Sequence, residues 1–284
     1  MDQRIIDLYD EYTHKPLDRQ VFLKKLIKLT GSTALAMAAL PMLENNYAFS
    51  KSLNSLDLTV EEVDYPGVKG SINAMLAKPK TESKYGAVVV IHENRGLNPH
   101  IKDVAKRIAN EGFLTLAIDA LSPFGGTPTD EDKARELIGD LDKSENLKNY
   151  LLGLDYVRTR SDSNGKTACV GFCWGGGMAN QLAVNDAKLD AAVAYYGMQP
   201  SLDEVKRIKA KLLLHYAGLD QRINAGIPAY EEALKAAGVD YKLYLYEGAN
   251  HAFNNDASPA RYHEQAAKLA WERTINLLED TIGS

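Results

Sequence analysis

The chain has 284 residues, of which 45% are hydrophobic and 25% are charged, and its formal net charge is −5. This composition is typical of a globular protein, and the length suits one large domain with an extension. The sequence has no basic stripe with interleaved aromatic residues, so it gives no sign of a nucleic-acid surface. The only two cysteines, Cys169 and Cys173, share one strand and turn, which argues against a disulfide between them.

Residues 1–55 differ from the rest of the chain. Apolar residues at positions 5, 8, 9 and 12 have helical spacing and predict a short amphipathic helix. A basic patch at residues 19–25 is followed by an apolar, small-residue run from Leu29 to Leu43 and by Ala48. This layout resembles a secretory or twin-arginine export signal at residues 19–48.

Three features of this N-terminal segment argue against an export signal. Gln20 stands where a second arginine is expected, no Ala-x-Ala site follows, and Pro41 interrupts an apolar run too short to span a bilayer. Two interpretations stay open. An export signal would imply membrane contact and a periplasmic location, whereas helices packed on the domain would suit a cytoplasmic protein.

Residues 56–284 have the pattern of one α/β domain. Strands are predicted at residues 58–65, 71–77, 86–91, 113–118, 167–172, 189–196, 211–216 and 241–246. Helices are predicted at residues 101–111, 131–141, 145–159, 174–184, 228–237 and 262–278. The first two strands bracket a Pro-Gly turn and predict an antiparallel pair at a sheet edge. Strand and helix alternate after residue 86, which predicts a mostly parallel, doubly wound sheet with helices on both faces.

The segment Thr167–Gly177 has the pattern of a nucleophile elbow with cysteine at its tip. A short apolar strand turns through Gly171, Cys173 and Gly175 into a helix. The turn is so tight that side chains at the two glycines would collide with neighbouring elements. The helix that follows directs N–H groups and a positive dipole end at the sulfur, which favours a thiolate. Taken alone, the elbow pattern still leaves open the less favoured alternative that Cys173 is a small buried hydrophobic residue.

Polar residues follow several strands at the edge where a sheet of this kind builds its sites. Cys173 follows one strand, Asp220 a later one and His251 the last one. Alone, Asp220 is better interpreted as a loop cap and His251 as a loop histidine with satisfied hydrogen bonds. Together with an elbow cysteine, they stand in the nucleophile, acid, histidine order of α/β-hydrolases and predict a catalytic triad.

Taken together, the motifs of this sequence resemble those of the dienelactone hydrolase family, also called carboxymethylenebutenolidases. The likeness covers roughly residues 60–282 and leaves the N-terminal segment outside it. The matching motifs are His92-Glu93-x-x-Gly96, Gly171-Phe172-Cys173-x-Gly175-Gly176, Tyr196-Gly197, His215-x-x-Gly218-x-Asp220 and Gly248-x-x-His251-x-Phe253. The resemblance implies an α/β-hydrolase fold for residues 56–284 and an N-terminal helical extension over residues 1–55.

The resemblance also implies roles for single residues. Cys173 would attack a carbonyl carbon, His251 would take the thiol proton and later activate water, and Asp220 would orient the imidazole. The oxyanion would be held by the backbone N–H groups of Trp174 and, by resemblance, Asn94. The remaining residue is Glu93, which in this family is a carboxylate near the thiol that helps to hold and release its proton. Its alternative role is to cap the helix after Gly96.

A thiolate nucleophile restricts the substrate. It is a good leaving group, so the tetrahedral intermediate returns to substrate unless the substrate's own leaving group departs more easily. We therefore expect an activated ester or lactone as the small-molecule substrate, with no cofactor, metal or nucleic acid. The open alternatives are other activated esters, such as phosphotriesters, on the same triad, and a non-catalytic binding protein on the same fold.

The sequence departs from dienelactone hydrolase proper in its anion-binding residues. Family members bind the substrate carboxylate with two arginines, and the corresponding regions, residues 120–124 and 254–256, contain none. Dienelactone itself is therefore doubtful as the substrate. Arg95 and Arg222 could supply the anion contact, although ordinary ion pairs are an equal alternative for both. Four aromatic residues could line the pocket or belong to the core; they are Trp174, Tyr195, Tyr196 and Phe253.

Overall fold

The computed structural model describes residues 1–14, 17–45 and 57–283. In these ranges the chain forms an eight-stranded sheet with helices on both faces. The strands are β1 (Leu58–Pro66), β2 (Ser71–Pro79), β3 (Tyr85–Ile91), β4 (Leu114–Ile118), β5 (Ser163–Phe172), β6 (Ala191–Tyr195), β7 (Lys211–Ala217) and β8 (Tyr241–Tyr246). The spatial order is β1-β2-β4-β3-β5-β6-β7-β8.

The helices of the described residues fall into an N-terminal group and a group that flanks the sheet. The first group is α1 (Gln3–His14), α2 (Arg19–Thr30) and α3 (Thr33–Leu43). The second is α4 (Pro99–Asn110), α5 (Glu131–Asp140), α6 (Lys143–Arg158), α7 (Trp174–Asn185), α8 (Gln221–Asn224), α9 (Ile227–Ala237) and α10 (Glu264–Ile282). Short 3-10 turns occur at Ser122–Phe124 and Leu202–Arg207.

The predicted sheet is confirmed. β1 and β2 pair antiparallel at one edge, β2 pairs antiparallel with β4, and every later neighbouring pair is parallel. All seven residues of β3 are buried, because helices cover this central strand on both faces. One core cluster lies on each face of the sheet.

Strand register brings the functional loops together at the carboxyl edge of the sheet. Ile91 lies opposite Gly171, and Phe172 lies opposite Tyr195. The last residue of β7, Ala217, lies opposite the last residue of β8, Tyr246. The chain segments that leave β3, β5, β7 and β8 therefore start at one rim.

Within its described residues, the N-terminal segment forms three helices, the first of which is the predicted amphipathic one. A small third core holds them together around Tyr9, Tyr12, Phe22 and Leu26. No single described helix has the length and apolar composition to cross a bilayer; only α2 and α3 taken together meet both criteria, and they are bent by 113°. The basic patch and Pro41 lie within α2 and α3, but the suggested cleavage region through Ala48 lies outside the described residues.

Candidate active site

Cys173 lies at a sharp backbone turn between β5 and α7. Its φ is 56° and its ψ is −114°, a conformation that non-glycine residues rarely adopt. A Cβ on Gly171 would overlap the carbonyl oxygen of Gly175, and a Cβ on Gly175 would overlap that of Ile91. The two glycines therefore allow the turn, as the sequence pattern predicts.

Asp220 and His251 form a hydrogen-bonded pair beside this turn. Asp220 follows β7 and caps α8, where its Oδ1 accepts the N–H of Ile223 at 3.1 Å. Its Oδ2 lies 2.5 Å from Nδ1 of His251, so this pair fixes the orientation of the imidazole. Nε2 of His251 is buried with no hydrogen-bond partner among the described residues, and one nitrogen of this ring lies within 4.8 Å of the Cys173 sulfur.

The N-terminal helix α1 supplies a second imidazole to the same sulfur. Nε2 of His14 lies 3.1 Å from Sγ of Cys173. Its ring meets the ring of His251 edge-on, with 4.5 Å between the ring centroids. Nδ1 of His14 is held by Asp10, whose carbonyl oxygen is 2.9 Å away and whose Oδ1 is 3.1 Å away.

The surrounding charges favour a thiolate. Burial would raise the pKa of the Cys173 thiol, but the imidazoles of His14 and His251 together lower it to about 6. Burial opposes protonation of His251, yet the Cys173 sulfur and the Asp10 and Asp220 carboxylates raise its pKa well above the ordinary value. The second cysteine behaves in the opposite way: burial raises the pKa of Cys169 far above that of a free thiol.

The loop after β3 brings two further predicted residues to this rim. Glu93 is buried, and its Oε2 accepts a hydrogen bond from Nδ2 of Asn255 at 2.9 Å. A small void that Glu93 shares with Cys173 and His251 lies beside this carboxylate. The side chain of Asn94 donates to the carbonyl oxygen of Thr13 at 2.8 Å, so this loop also holds the end of α1.

Trp174 is the first residue of α7, directly after Cys173. Its N–H is one of the first four of a helix, which have no acceptor within their own helix. The indole stacks on the ring of His92 with 5.2 Å between centroids. This position leaves the Trp174 N–H beside the sulfur, where the sequence analysis expects an oxyanion donor.

A cavity of about 540 Å³ opens above the sulfur. Its lining includes Cys173, His251, Trp174 and Tyr196 from the domain and His14 from α1. Arg222 also lines it, and the Nε and Nη2 atoms of that guanidinium are buried without a hydrogen-bond partner among the described residues. The cavity volume suits a small organic molecule.

Two residues expected at the substrate have other surroundings. The Arg95 guanidinium is buried against α5, where Nη1 donates to the carbonyl oxygen of Glu131 at 2.8 Å and pairs with Asp132 at 3.2 Å. Phe253 is fully buried behind Tyr196, with 5.4 Å between the two ring centroids. Neither residue lines the larger cavity, although Arg95 borders the small void beside Cys173 and His251. Tyr195 is fully buried as well, so the rings of Phe253 and Tyr195 both belong to the core and not to the cavity wall.

The sequence analysis missed His14 and Asp10. The only signal for them was an acidic residue four positions before a histidine on an amphipathic helix, which is usually a surface pair. One ring nitrogen of His14, Sγ of Cys173 and one ring nitrogen of His251 lie within 4.8 Å of one another, and this spacing is also compatible with a soft metal cation.

Solved structures with the same fold indicate the class of protein to which this chain belongs. A crystal structure from Klebsiella pneumoniae, described as a "Putative Dienelactone Hydrolase", superposes with a TM-score of 0.71 at 27% identity, over 78% of this chain and 98% of its own. A dienelactone hydrolase-like promiscuous phosphotriesterase from metagenomic libraries shares the fold, with a TM-score of 0.72 at 24% identity over 80% of this chain and 100% of its own. The chain has an α/β-hydrolase fold.

The particular family follows from sequence comparison. The model of the dienelactone hydrolase family matches residues 72–282. A protein of Saccharolobus solfataricus named "Putative carboxymethylenebutenolidase" is 33% identical over 256 residues, which cover 77% of this chain and 97% of that protein. The chain belongs to the dienelactone hydrolase family and is a hydrolase of small-molecule esters or lactones.

Proposed function

We propose that the protein hydrolyses activated carboxylic esters or lactones through Cys173, His251 and Asp220, with a thioester between Cys173 and the acyl group as the intermediate. The observation that carries this proposal is the elbow cysteine in a strained backbone conformation, with a buried imidazole–carboxylate pair beside it. Strain of this kind persists only where the surrounding structure enforces it, and it is most common at functional sites.

Acylation starts from the thiolate of Cys173. The sulfur attacks the carbonyl carbon, and the negative charge moves to the carbonyl oxygen. The N–H of Trp174 and the backbone N–H of Asn94 are the donors we assign to that oxygen. The intermediate then expels the alcohol or enol oxygen and leaves an acyl group on the sulfur.

Deacylation uses the imidazole of His251. Its Nε2 has no hydrogen-bond partner in the described chain, so its lone pair is free to take a proton. Asp220 holds the Nδ1 proton, so Nε2 of the neutral ring is the basic atom. Water loses a proton to this nitrogen, attacks the thioester carbon and releases the thiolate with a carboxylic acid.

Glu93 has a supporting part in this proposal. Its carboxylate is buried, and its Oε1 has no hydrogen-bond partner among the described residues, although it borders the small void next to the sulfur. A carboxylate in that position can exchange a proton with the thiol when substrate enters. The hydrogen bond from Asn255 keeps its second oxygen in place.

The experiment compares wild type with Cys173→Ala on p-nitrophenyl acetate, dihydrocoumarin and diethyl p-nitrophenyl phosphate. We expect wild type to hydrolyse the ester and the lactone, and the variant to lose nearly all of this activity. Acid quenching during turnover should show the acetyl mass on Cys173. Cys169→Ala is the matched control, because its sulfur is buried in the sheet and does not border the cavity.

Three outcomes contradict the proposal in different ways. Ester hydrolysis that survives in Cys173→Ala would exclude the cysteine as nucleophile. Activity confined to the phosphate triester would favour the other ester class on the same residues. A wild-type protein without activity on any of the three substrates, but with an ordered fold, would favour a binding protein.

A further inference from the structure

The N-terminal helix places a side chain in direct contact with the reacting sulfur. His14 is largely buried, with 11% of its side chain exposed, and its Nε2 lies 3.1 Å from Sγ of Cys173. The distance is within the range of a hydrogen bond to sulfur. His14 also lines the cavity that opens above Cys173. This imidazole can therefore reach both the sulfur and a bound substrate.

Asp10 orients His14 through its backbone carbonyl oxygen, with its carboxylate close to the same ring nitrogen. Asp10 lies one helical turn before His14, and its carbonyl oxygen and Oδ1 both face Nδ1 of the ring. The Thr13 hydroxyl lies 3.0 Å from the same nitrogen. With Nδ1 held in this way, Nε2 points at the sulfur. The sulfur is thus flanked by two imidazole–carboxylate pairs, one from the domain and one from α1.

Contacts between α1 and the domain fix the position of His14. Asn94 binds the carbonyl oxygen of Thr13, and Arg135 donates to the carbonyl oxygen of Tyr12. The Arg135 guanidinium lies over the Tyr12 ring at 4.2 Å from its centroid. At the other end of the helix, Gln3 binds the side chain of Asn250 at 2.6 Å. The end of α1 is therefore anchored to the loops that carry the site.

Charged groups from several neighbouring elements line the voids around the Cys173 sulfur and the rings of His14 and His251. They are Asp7, Asp10 and Glu11 on α1, Glu93 and Arg95 after β3, Arg135 and Glu136 on α5, Asp220 and Arg222 around the start of α8, His251 after β8, and Arg261 before α10. The pKa of Asp10 is lowered because the charges of His251, His14 and Arg222 outweigh its burial. A positive charge on His14 is thus balanced by the sulfur on one side and by Asp10 on the other.

We propose that His14 is a second catalytic imidazole, which keeps the thiol proton in the resting enzyme, delivers it to the leaving-group oxygen, and thereby extends hydrolysis to alkyl esters and saturated lactones. This inference rests on the proposed function of Cys173. It changes the expected substrate class, because a protonated leaving group no longer has to be a weaker base than the thiolate. With two imidazoles, His14 protonates the leaving group and His251 activates water, whereas a single imidazole would have to do both.

The proton balance of the cycle closes with these groups. The S–H proton moves to Nε2 of His14, and the thiolate attacks the carbonyl carbon. The C–O bond breaks as the leaving oxygen takes the proton from His14, which gives an alcohol and a thioester. The sulfur has then lost the negative charge that helps to raise the pKa of His251, so this ring releases its resting proton to solvent. Water gives one proton to His251 and its hydroxyl to the carbonyl carbon, and the C–S bond breaks. The carboxylic acid product gives its proton to His14 and leaves as a carboxylate, so the thiolate and both rings return to their starting states.

The test compares two six-membered lactones whose leaving groups differ. Dihydrocoumarin releases a phenol, which needs little help, whereas δ-valerolactone releases an alkyl alcohol. In His14→Gln we expect kcat for δ-valerolactone to fall by about 100-fold or more, the usual contribution of general acid catalysis. The loss for dihydrocoumarin should be at least about ten-fold smaller. Asp10→Asn should reproduce the same bias more weakly, because it removes the negative charge beside Nδ1 of His14 but keeps the backbone hydrogen bond that holds the ring.

A second readout does not depend on turnover. The rate of alkylation of Cys173 by iodoacetamide follows the thiolate fraction, so in wild type it should have its midpoint near pH 6. In His14→Gln the midpoint should move to higher pH, with alkylation at about pH 5 slower by about ten-fold for each unit of that shift. The matched control is Arg4→Gln, an exposed residue on the same helix that lines none of these cavities, which should match wild type in both assays.

Equal loss on both lactones with an unmoved alkylation profile would mean that His14 only packs against the sulfur. Unchanged kinetics in His14→Gln would also overturn the inference. Circular dichroism and thermal unfolding of each variant show whether the fold is retained, and Asp10→Asn provides the leaving-group ratio if His14→Gln does not fold. Failure of the proposed function gives a different result, since lactone hydrolysis would then persist in Cys173→Ala.

Discussion

At the scale of single residues, two arginines that look alike in the sequence have different surroundings. Arg95 is buried and paired with α5, so its charge is already neutralised by Asp132. Arg222 is partly exposed, with its Nε 3.9 Å from Oδ2 of Asp10. Two of its nitrogens are buried without a hydrogen-bond partner in the described chain. A guanidinium that presents buried, unpaired donor nitrogens beside a cavity favours an anionic ligand such as a carboxylate.

Arg222→Gln tests this assignment. We expect KM for an ester that carries a free carboxylate, such as the mono-p-nitrophenyl ester of glutaric acid, to rise by about ten-fold or more, since a charge-assisted hydrogen bond contributes about 1.5–3 kcal/mol. KM for neutral p-nitrophenyl acetate should change by less than about two-fold. Steady-state kinetics on both esters measure the difference, with Arg207→Gln, on the exposed turn after β6, as control. A KM for the anionic ester that matches wild type would exclude Arg222 as the anion contact.

At the scale of elements, the elbow depends on two backbone segments that approach more closely than side chains allow. α7 lies against the ends of β3 and β5, and Gly175 is the point where its backbone meets the carbonyl oxygen of Ile91. Gly177, two residues later on the same helix, has only ordinary contacts of 3.6 Å or more around the position of a Cβ. The same helix therefore contains a required glycine and a replaceable one.

Gly175→Ala should destabilise the protein by about 3 kcal/mol or more, at the upper end of the cost of overpacking, because both partners in the clash are backbone. Gly177→Ala should be neutral or stabilise by up to about 1 kcal/mol, since alanine favours helix. Urea unfolding followed by circular dichroism measures both. Equal unfolding midpoints for the two variants would show that α7 can shift away from β3 without cost.

The elements of the domain could be predicted because their signals are local. β8 spans the predicted residues 241–246, and α7 starts at the predicted Trp174. Buried parallel strands appear as continuous apolar runs, and the elbow needs glycine at fixed positions. The meeting of Asp220 with His251 could also be predicted, because the carboxyl ends of parallel strands share one edge.

The role of α1 could not be predicted in the same way. Its apolar spacing indicates a helix with one face to bury, but it does not say which surface that face covers. Asp10 and His14 have the spacing of an ordinary surface pair, and their approach to the sulfur depends on where the helix docks. The positions of Arg95 and Phe253 depended on tertiary packing for the same reason, because both side chains could face either the cavity or the core.

At the scale of the whole molecule, the N-terminal helices and the domain form one structure around the cavity. The contact depends on a few large side chains. Tyr12 is buried, stacks on Phe22 with 4.4 Å between centroids, and lies under the Arg135 guanidinium of the domain. Arg261 of the domain lies over the ring of Tyr9 at 5.1 Å from its centroid. The rings of Tyr9 and Tyr12 therefore hold α1 against the domain and over the active site.

Tyr12→Ala should loosen α1 without unfolding the sheet. Removing a buried aromatic ring costs about 3–5 kcal/mol, and here that cost falls mainly on the contact between α1 and the domain. Amide hydrogen exchange of Gln3–His14 should therefore accelerate by about 100-fold or more, while β5 and β7 keep their protection. kcat for δ-valerolactone should also fall in Tyr12→Ala, since His14 then spends less time at the sulfur.

Asp7→Ala, exposed on the same helix, is the control. Faster exchange in α1 with unchanged turnover of δ-valerolactone would separate the docking of the helix from catalysis, and simultaneous loss of protection in β5 would show that the extension and the sheet unfold as one unit.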